Sequence, residues 1–253
     1  MNKEIKAIIW DFDGNIVHTP ERHLNAAKKI IERITGKSAD EFSMLKDWKS
    51  YVLAEEKYGE WRVFYAKEFG LTEEQVDEVG ELWAEYELKD KTPIPIYKGV
   101  PKIISALQKL PQGIVSENVK QIIERSLKKA GLLKYFECIL GYEEVDIRRQ
   151  KPYPDGLLLC IKELTNNKKG YYVYIGDRDL DVETAINANK YFEKKGLNIK
   201  IITIATLYGS HFDDCKEWEV KPDYVATKPL DIIDAIQKFN PNYKMRGGVL
   251  VKG

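Results

Sequence analysis

An alternation of strands and helices, interrupted once, constrains this chain more than any other feature. After Pro93, short β-rich runs and amphipathic helical runs take turns: helix 101–110, strand 113–116, helix 119–130 stopped by Gly131, and strand 136–140. Helix 154–164, strand 171–175, a helix within 182–196, strands 200–205 and 224–226, and helix 230–239 follow. Strands separated by helices pair through right-handed crossovers, which gives a parallel sheet covered on both faces. One strand, Ile5–Trp10, comes much earlier, and the stretch between carries no strand signal. There Leu24, Ala27, Ile31 and Ile34 recur at helical spacing, and Gly36 ends that helix. A long helix is expected over 47–69, stopped by Gly70, and Thr72 with Glu73, Glu74 and Gln75 caps another reaching about Leu88. Thr92-Pro93-Ile94-Pro95 closes the segment stiffly. The expected fold class is α/β, a doubly wound parallel sheet formed by 1–19 and 93–253, with an all-helical domain at 20–92 inserted after the first strand. The tail Met245–Gly253 shows no clear pattern.

Composition narrows the function classes. The 253 residues suffice for one large domain or two smaller ones, and 43% hydrophobic residues rule out global disorder. Lys and Arg number 40 against 40 Asp and Glu, so there is no basic excess for bulk electrostatic attraction, and no nucleic-acid partner is expected. No apolar run approaches the roughly 20 residues needed to cross a bilayer, so no membrane partner is expected. Met1-Asn2-Lys3-Glu4 leads straight into the first strand without a cleavage pattern, which points to a cytoplasmic protein. Cys138, Cys160 and Cys215 are far apart and odd in number, and they read as reduced, packed thiols.

In open α/β sheets ligands bind beyond the carboxyl ends of the strands. The first strand runs into Asp11-Phe12-Asp13-Gly14-Asn15. Residues two apart in an extended chain point the same way, which aims Asp11 and Asp13 at one spot. Strand 171–175 runs into Gly176-Asp177-Arg178-Asp179-Leu180-Asp181, where Asp177 and Asp181 can converge across a strand-to-helix turn. Strand 113–116 ends in Ser116, and the loop after the third strand carries Lys151-Pro152. Unit charges about 4 Å apart repel by about 4 kcal/mol at an effective dielectric near 20, so such a cluster needs a cation. Oxygen ligands with no nearby His or Cys except His18 fit a hard dication, Mg²⁺, better than zinc. A phosphate would complete its shell, with oxygens held by Lys151, the Ser116 hydroxyl and the backbone N–H groups of Phe12 and Glu117.

Asp11-Phe12-Asp13-Gly14, the strand ending in Ser116, Lys151-Pro152, and Gly176-Asp177 with Asp181 resemble, in order, the four motifs of the haloacid dehalogenase superfamily. Ala185 and Ala188 fit the helix that follows the last motif, and the match covers nearly the whole chain. Any one motif is weak; four in order at strand ends are specific. The place of the insertion is similar to that in the helical-cap subgroup, which includes phosphoglycolate phosphatases and β-phosphoglucomutases. The resemblance implies a Rossmann-like core with a cap that closes over it, and a phosphatase acting on a small phosphorylated metabolite. It makes Asp11 the nucleophile, forming an aspartyl-phosphate, and Asp13 the acid that protonates the leaving alcohol and then the base for water. Mg²⁺ would be held by the carboxylates of Asp11 and Asp177 and the carbonyl of Asp13, with Asp181 orienting that shell. Ser116 and Lys151 would position and neutralise the phosphoryl oxygens. Dehalogenase members lack the second acid, so Asp13 argues for phosphoryl transfer. A phosphomutase would use the same residues, and a catalytically weak relative could bind a partner protein through the cap; the intact acid set disfavours the latter.

Three positions depart from the family pattern. Asn15 stands where Thr or Val is usual, Glu117 where a neutral Asn is common, and Asn189 where Gly is frequent. The Glu117 carboxylate would sit near a bound phosphate, so it either turns away or reads a cation or hydroxyl of the substrate. His18 in the hinge, and Lys46 and Lys49 near the start of the long cap helix, are further candidates for substrate contact. Asp179 reads as a solvated or capping residue. The cap aromatics Trp48, Tyr51, Tyr58, Trp61, Tyr65, Trp83 and Tyr86 read as helix packing.

Overall fold

The computed structural model describes residues 3–58, 60–209 and 214–253. The chain forms two compact units, one of Thr19–Ile94 and one of the residues on either side. β1 (Ile5–Trp10) opens the second of these, and the helical unit follows it in the chain with α1 (Pro20–Thr35), α2 (Trp48–Glu56), α3 (Trp61–Glu68) and α4 (Glu73–Lys89). Pro20 stands at the start of α1, where its missing N–H costs nothing, and Gly36 ends it at a φ of 70°. Thr72 and Gln75 form a reciprocal capping box that opens α4.

The single helix expected over 47–69 is two helices, broken after Lys57, with Gly59 outside the described residues. The reason lies in packing. Tyr51 and Tyr65 are fourteen positions apart, which in one straight helix would separate them by about 21 Å. The break lets their hydroxyls meet at 3.0 Å inside one core, with Phe64, Val76 and Leu82. The cap aromatics named above all belong to this core or pack against it. The buried Arg22 of α1 reaches Glu87 of α4 at 2.5 Å and donates to the carbonyls of Asp90 and Thr92, so the two ends of the insertion are fastened together.

The other unit continues with α5 (Val100–Ala106), β2 (Gln112–Val115), α6 (Lys120–Lys129), β3 (Cys138–Leu140), α7 (Asp155–Thr165) and β4 (Gly170–Gly176). Then come α8 (Asp179–Lys194), β5 (Ile199–Thr206), β6 (Tyr224–Ala226), α9 (Asp231–Phe239), β7 (Tyr243–Arg246) and β8 (Val249–Lys252). The first six strands make one sheet in the order β3-β2-β1-β4-β5-β6, every neighbouring pair parallel. Ala7, Ile9, Tyr172 and Tyr174 share one face with Leu157 and Ile161 of α7 and Ala185 and Phe192 of α8. Ile8 and Trp10, on the opposite pleat, are equally buried, as a two-sided parallel sheet requires. Helix 101–110 ends early, at Ala106, ahead of Pro111, and α8 begins at Asp179, which puts Asp181 in its first turn. The tail is ordered: β7 and β8 form a hairpin around Gly247 and Gly248, both at positive φ. Among the described residues no helix is long and apolar enough to cross a membrane.

The strand order positions the chemistry. β1 lies between β2 and β4, where the winding reverses direction, and such a reversal opens a crevice at the carboxyl ends. Asp11 follows β1, Ser116 follows β2 and Asp177 follows β4, so three neighbouring strands deliver to one place.

Candidate active site

The turn after β1 is held from several sides. The N–H of Asp11 donates to the carbonyl of Ile175, while those of Ile16 and Val17 fold back onto the carbonyl of Phe12. Gly14 takes a φ of 67°, and a Cβ there would overlap the Asp177 carboxylate. Asn15 is fully buried and donates through Nδ2 to the carbonyls of Asp11 and Ile175, both at 2.9 Å. Its Oδ1 accepts from Thr206 at 3.3 Å and Tyr208 at 3.2 Å. The amide at the atypical position therefore cross-links the loop to β4 and to the end of β5.

Asp11, Asp177 and Asp181 are all buried, and each offers an oxygen within 4.8 Å of the others. Lys151 stands among them, its Nζ 2.8 Å from Asp11 and 2.7 Å from Asp181. Asp181 also accepts from the hydroxyl of Tyr174 at 2.8 Å and the N–H of Arg178 at 3.2 Å. Burial lifts the Asp11 carboxyl to about 7 in spite of the Lys151 charge beside it. Burial, then the charges of Asp11 and Asp181, push Asp177 well above the usual carboxylate range. Asp181 differs: burial would raise it too, but the Lys151 charge and hydrogen bond and the Tyr174 hydroxyl outweigh that and keep it low. Lys151 is held well above the ordinary lysine value because its two carboxylate partners outweigh the cost of burying the ammonium. One buried ammonium thus bonds two of the carboxylates, while the third, Asp177, feels Lys151 and Arg178 only through space and stays raised. The donor set is all hard oxygen, and the strain on Asp11 and Asp177 is what a dication would relieve, so these residues fit Mg²⁺.

Ser116 is buried, and its Oγ accepts from the N–H of Asn118 at 3.1 Å. Asp13 is half-buried, and Nδ2 of Asn118 contacts both of its carboxylate oxygens at 3.0 Å. Ser116, Lys151, Glu117, Gln150, Tyr142 and Tyr153 line a narrow, open cleft. Glu117 is half-buried rather than swung into solvent. His18 is exposed, and its ring meets Tyr97 edge-on at 5.7 Å. The Tyr97 phenol is pushed up by burial and then by the charges of Asp177 and Asp13. Lys46 and Lys49 are exposed residues of the helical unit, on either side of the α2 cap Asp47. Asp179 accepts the N–H of Leu180 in the first turn of α8.

Sequence reasoning missed Asn118, Tyr174, Asn15 as a cross-link, and Tyr97. Asn118 alone had a local signal, a polar residue two positions after a strand-end serine. Tyr174 reads in sequence as one more core aromatic.

The family model for haloacid dehalogenase-like hydrolases matches residues 8–192. A pyrophosphatase PpaX from Listeria monocytogenes serotype 4a is 27% identical over 193 residues, covering 74% of this chain and 82% of that protein. Among solved structures, a predicted phosphatase from Clostridium acetobutylicum superposes with a TM-score of 0.69 at 16% identity, covering 92% of this chain and 99% of that one. A predicted phosphoglycolate phosphatase from Haemophilus somnus 129PT gives 0.58 at 16% identity, covering 92% and 98%. At these identities the structural likeness speaks for the fold.

Proposed function

The chain belongs to the haloacid dehalogenase-like hydrolase family, and from that premise we propose that it is a Mg²⁺-dependent phosphatase of small phosphorylated metabolites working through an aspartyl-phosphate. The observation that carries this reading is the buried acid triad with Lys151 bonded to two of its members. A strand-end turn of solvated acids would not be buried, and a simple structural ion pair would not bring a third buried carboxylate beside the two it bonds.

An oxygen of the Asp11 carboxylate attacks phosphorus in line with the leaving oxygen, and the ester P–O bond breaks as Asp13 gives its proton to that oxygen. Asp13, now a carboxylate, takes a proton from water, whose oxygen attacks the same phosphorus. The bond between phosphorus and Asp11 breaks, releasing inorganic phosphate and restoring the nucleophile. The N–H of Asn118 occupies an acceptor site on Ser116 Oγ, which leaves the hydroxyl hydrogen for a phosphoryl oxygen. The Lys151 ammonium neutralises the same group. Asp11, Asp177 and the carbonyl of Asp13 would hold Mg²⁺, which supplies positive charge to the phosphoryl oxygens when bound. Asp181 keeps Lys151 in place from the other side. The helical unit is assigned the choice of substrate.

The name of the Listeria relative brings pyrophosphate into the range of substrates, but the leaving phosphate of pyrophosphate has far less need of a proton than an alcohol does. Asp13 therefore favours phosphate monoesters. Asp11→Asn is the decisive test: an amide cannot attack phosphorus, so Mg²⁺-dependent release of phosphate from 4-nitrophenyl phosphate should vanish while the thermal midpoint persists. A folded variant that keeps more than a few per cent of parental turnover would refute the mechanism.

A further inference from the structure

We propose that Asn118 is a positioning residue that aims Asp13 at the oxygen of the leaving group. This rests on the phosphatase reading above, with Asp13 as proton donor. Asn118 is 2% exposed and lies in the loop between β2 and α6. Each of its polar groups is engaged. Its N–H donates to Ser116 Oγ at 3.1 Å, and its carbonyl accepts from the N–H of Tyr142 at 3.0 Å. Its Oδ1 accepts from the N–H of Val119 at 2.7 Å, and its Nδ2 meets both oxygens of Asp13 at 3.0 Å.

The Val119 contact settles which way the amide points. Turned over, the NH₂ group would face a backbone N–H and the oxygen would face a carboxylate, giving two repulsions in place of attractions. Asn118 therefore presents a donor to Asp13. The residues are 105 positions apart and meet because β2 and β1 are neighbours. A half-exposed aspartate at a loop has several rotamers open to it. An amide donor spanning both oxygens selects one of them and turns the carboxyl group so that its acidic O–H can be given to the leaving oxygen. Proton transfer needs heavy atoms within about 3 Å, and a misplacement near 1 Å can cost about a hundredfold in rate. Asn118 also holds Ser116, so one buried side chain and its own backbone set both the acid and a phosphoryl-binding hydroxyl.

The test uses the full chain with saturating Mg²⁺ and two substrates: 4-nitrophenyl phosphate, whose leaving group departs without a proton, and β-glycerol phosphate, whose alkoxide requires one. Asn118→Asp keeps the size of the side chain and an oxygen toward Val119 but turns a carboxylate on Asp13. Asn118→Ala removes the side chain. Both should lower kcat for glycerol phosphate by about a hundredfold, leave the aryl ester within roughly fivefold, and move neither KM by more than about threefold. A merely structural role would lower both substrates together and in step with the thermal midpoint. Asp13→Asn is measured alongside. If it shows the selective loss and neither Asn118 variant does, the positioning role is overturned and the phosphatase reading stands. If Asp13→Asn shows no selective loss, or the parent hydrolyses neither ester, the reading itself falls and the inference with it. Should Asn118→Ala fail to fold, Asn118→Asp decides.

Discussion

Replacing Lys151 by methionine tests the electrostatics of the site without altering any of its carboxylates. The ammonium sits 2.8 Å from Asp11 and 2.7 Å from Asp181, and all three side chains are buried. Methionine fills much the same volume but removes the cation, leaving Asp11, Asp177 and Asp181 within 4.8 Å of one another without it. Breaking a buried pair by deleting one partner costs about 3–5 kcal/mol. In a protein of this size each kcal/mol shifts the midpoint by about 2–4 °C, so in EDTA the variant should melt roughly 10 °C below the parent. A dication that binds only the folded site stabilises it by RT ln(1 + [L]/Kd), about 2.7 kcal/mol at a hundred times Kd. Added Mg²⁺ should therefore raise the midpoint of the parent and recover a large part of the loss in Lys151→Met, while Ca²⁺-free, Mg²⁺-free buffer recovers none. The assay is thermal unfolding followed by far-UV circular dichroism, with and without EDTA. A variant that melts within about 2 °C of the parent in EDTA would mean that Lys151 does not hold the acids together. A midpoint indifferent to Mg²⁺ in both proteins would remove the metal from the site.

Two further outcomes are expected. Glu117 lines the cleft with Ser116 and Lys151, so Glu117→Gln should improve kcat/KM for an ester with an anionic leaving group, such as phosphoglycolate, by about tenfold (~1.4 kcal/mol) relative to a neutral one; equal change on both would show that this carboxylate does not face the leaving group. Replacing residues 21–90 by a short Gly-Ser linker should leave a Mg²⁺-binding core in which acetyl phosphate turnover falls much less than that of bulkier esters, and a soluble core with the parental ranking of substrates would place specificity outside the helical unit.

What was legible in the sequence is what strand direction alone determines. A parallel sheet puts every strand's carboxyl end on one side, so Asp11, Ser116 and Asp177 could be gathered without knowing which strand neighbours which. Asn118 could not be found that way. Its partner Asp13 is reached only because β2 lies next to β1, and the period of a sequence carries no strand order. Tyr174 is similar: its ring belongs to the core, as a β-rich run predicts, and only its hydroxyl, bonded to Asp181, belongs to the site. The break after Lys57 followed from a tertiary need, the meeting of Tyr51 with Tyr65, that helical periodicity does not express. The hairpin in the tail is another matter, since Gly247-Gly248 between two short runs is a local signal for a two-residue turn.

The site also explains why its acids can stand so close without prising the loops apart. Asp11 and Asp177 are each pushed toward protonation, and a loosely held loop would relieve that by moving. Movement is opposed by buried bonds that do not involve the carboxylates. Asn15 joins the carbonyl that follows β1 to a carbonyl of β4, and Thr206 and Tyr208 grip its oxygen from the end of β5. Its place in the family pattern is usually taken by Thr or Val; an amide, with both donors and an acceptor, can tie three strand ends where a hydroxyl or an isopropyl group could not. Two glycines complete the arrangement from the other direction. A Cβ on Gly14 would overlap the Asp177 carboxylate and one on Gly176 would overlap that of Asp181, so backbone and acids are already in contact. The loops can therefore neither open, because Asn15 holds them, nor admit a side chain at Gly14 or Gly176. The repulsion among the acids is left to Lys151, and on the proposed reading to Mg²⁺, so that crowding of this kind would become affinity for a dication.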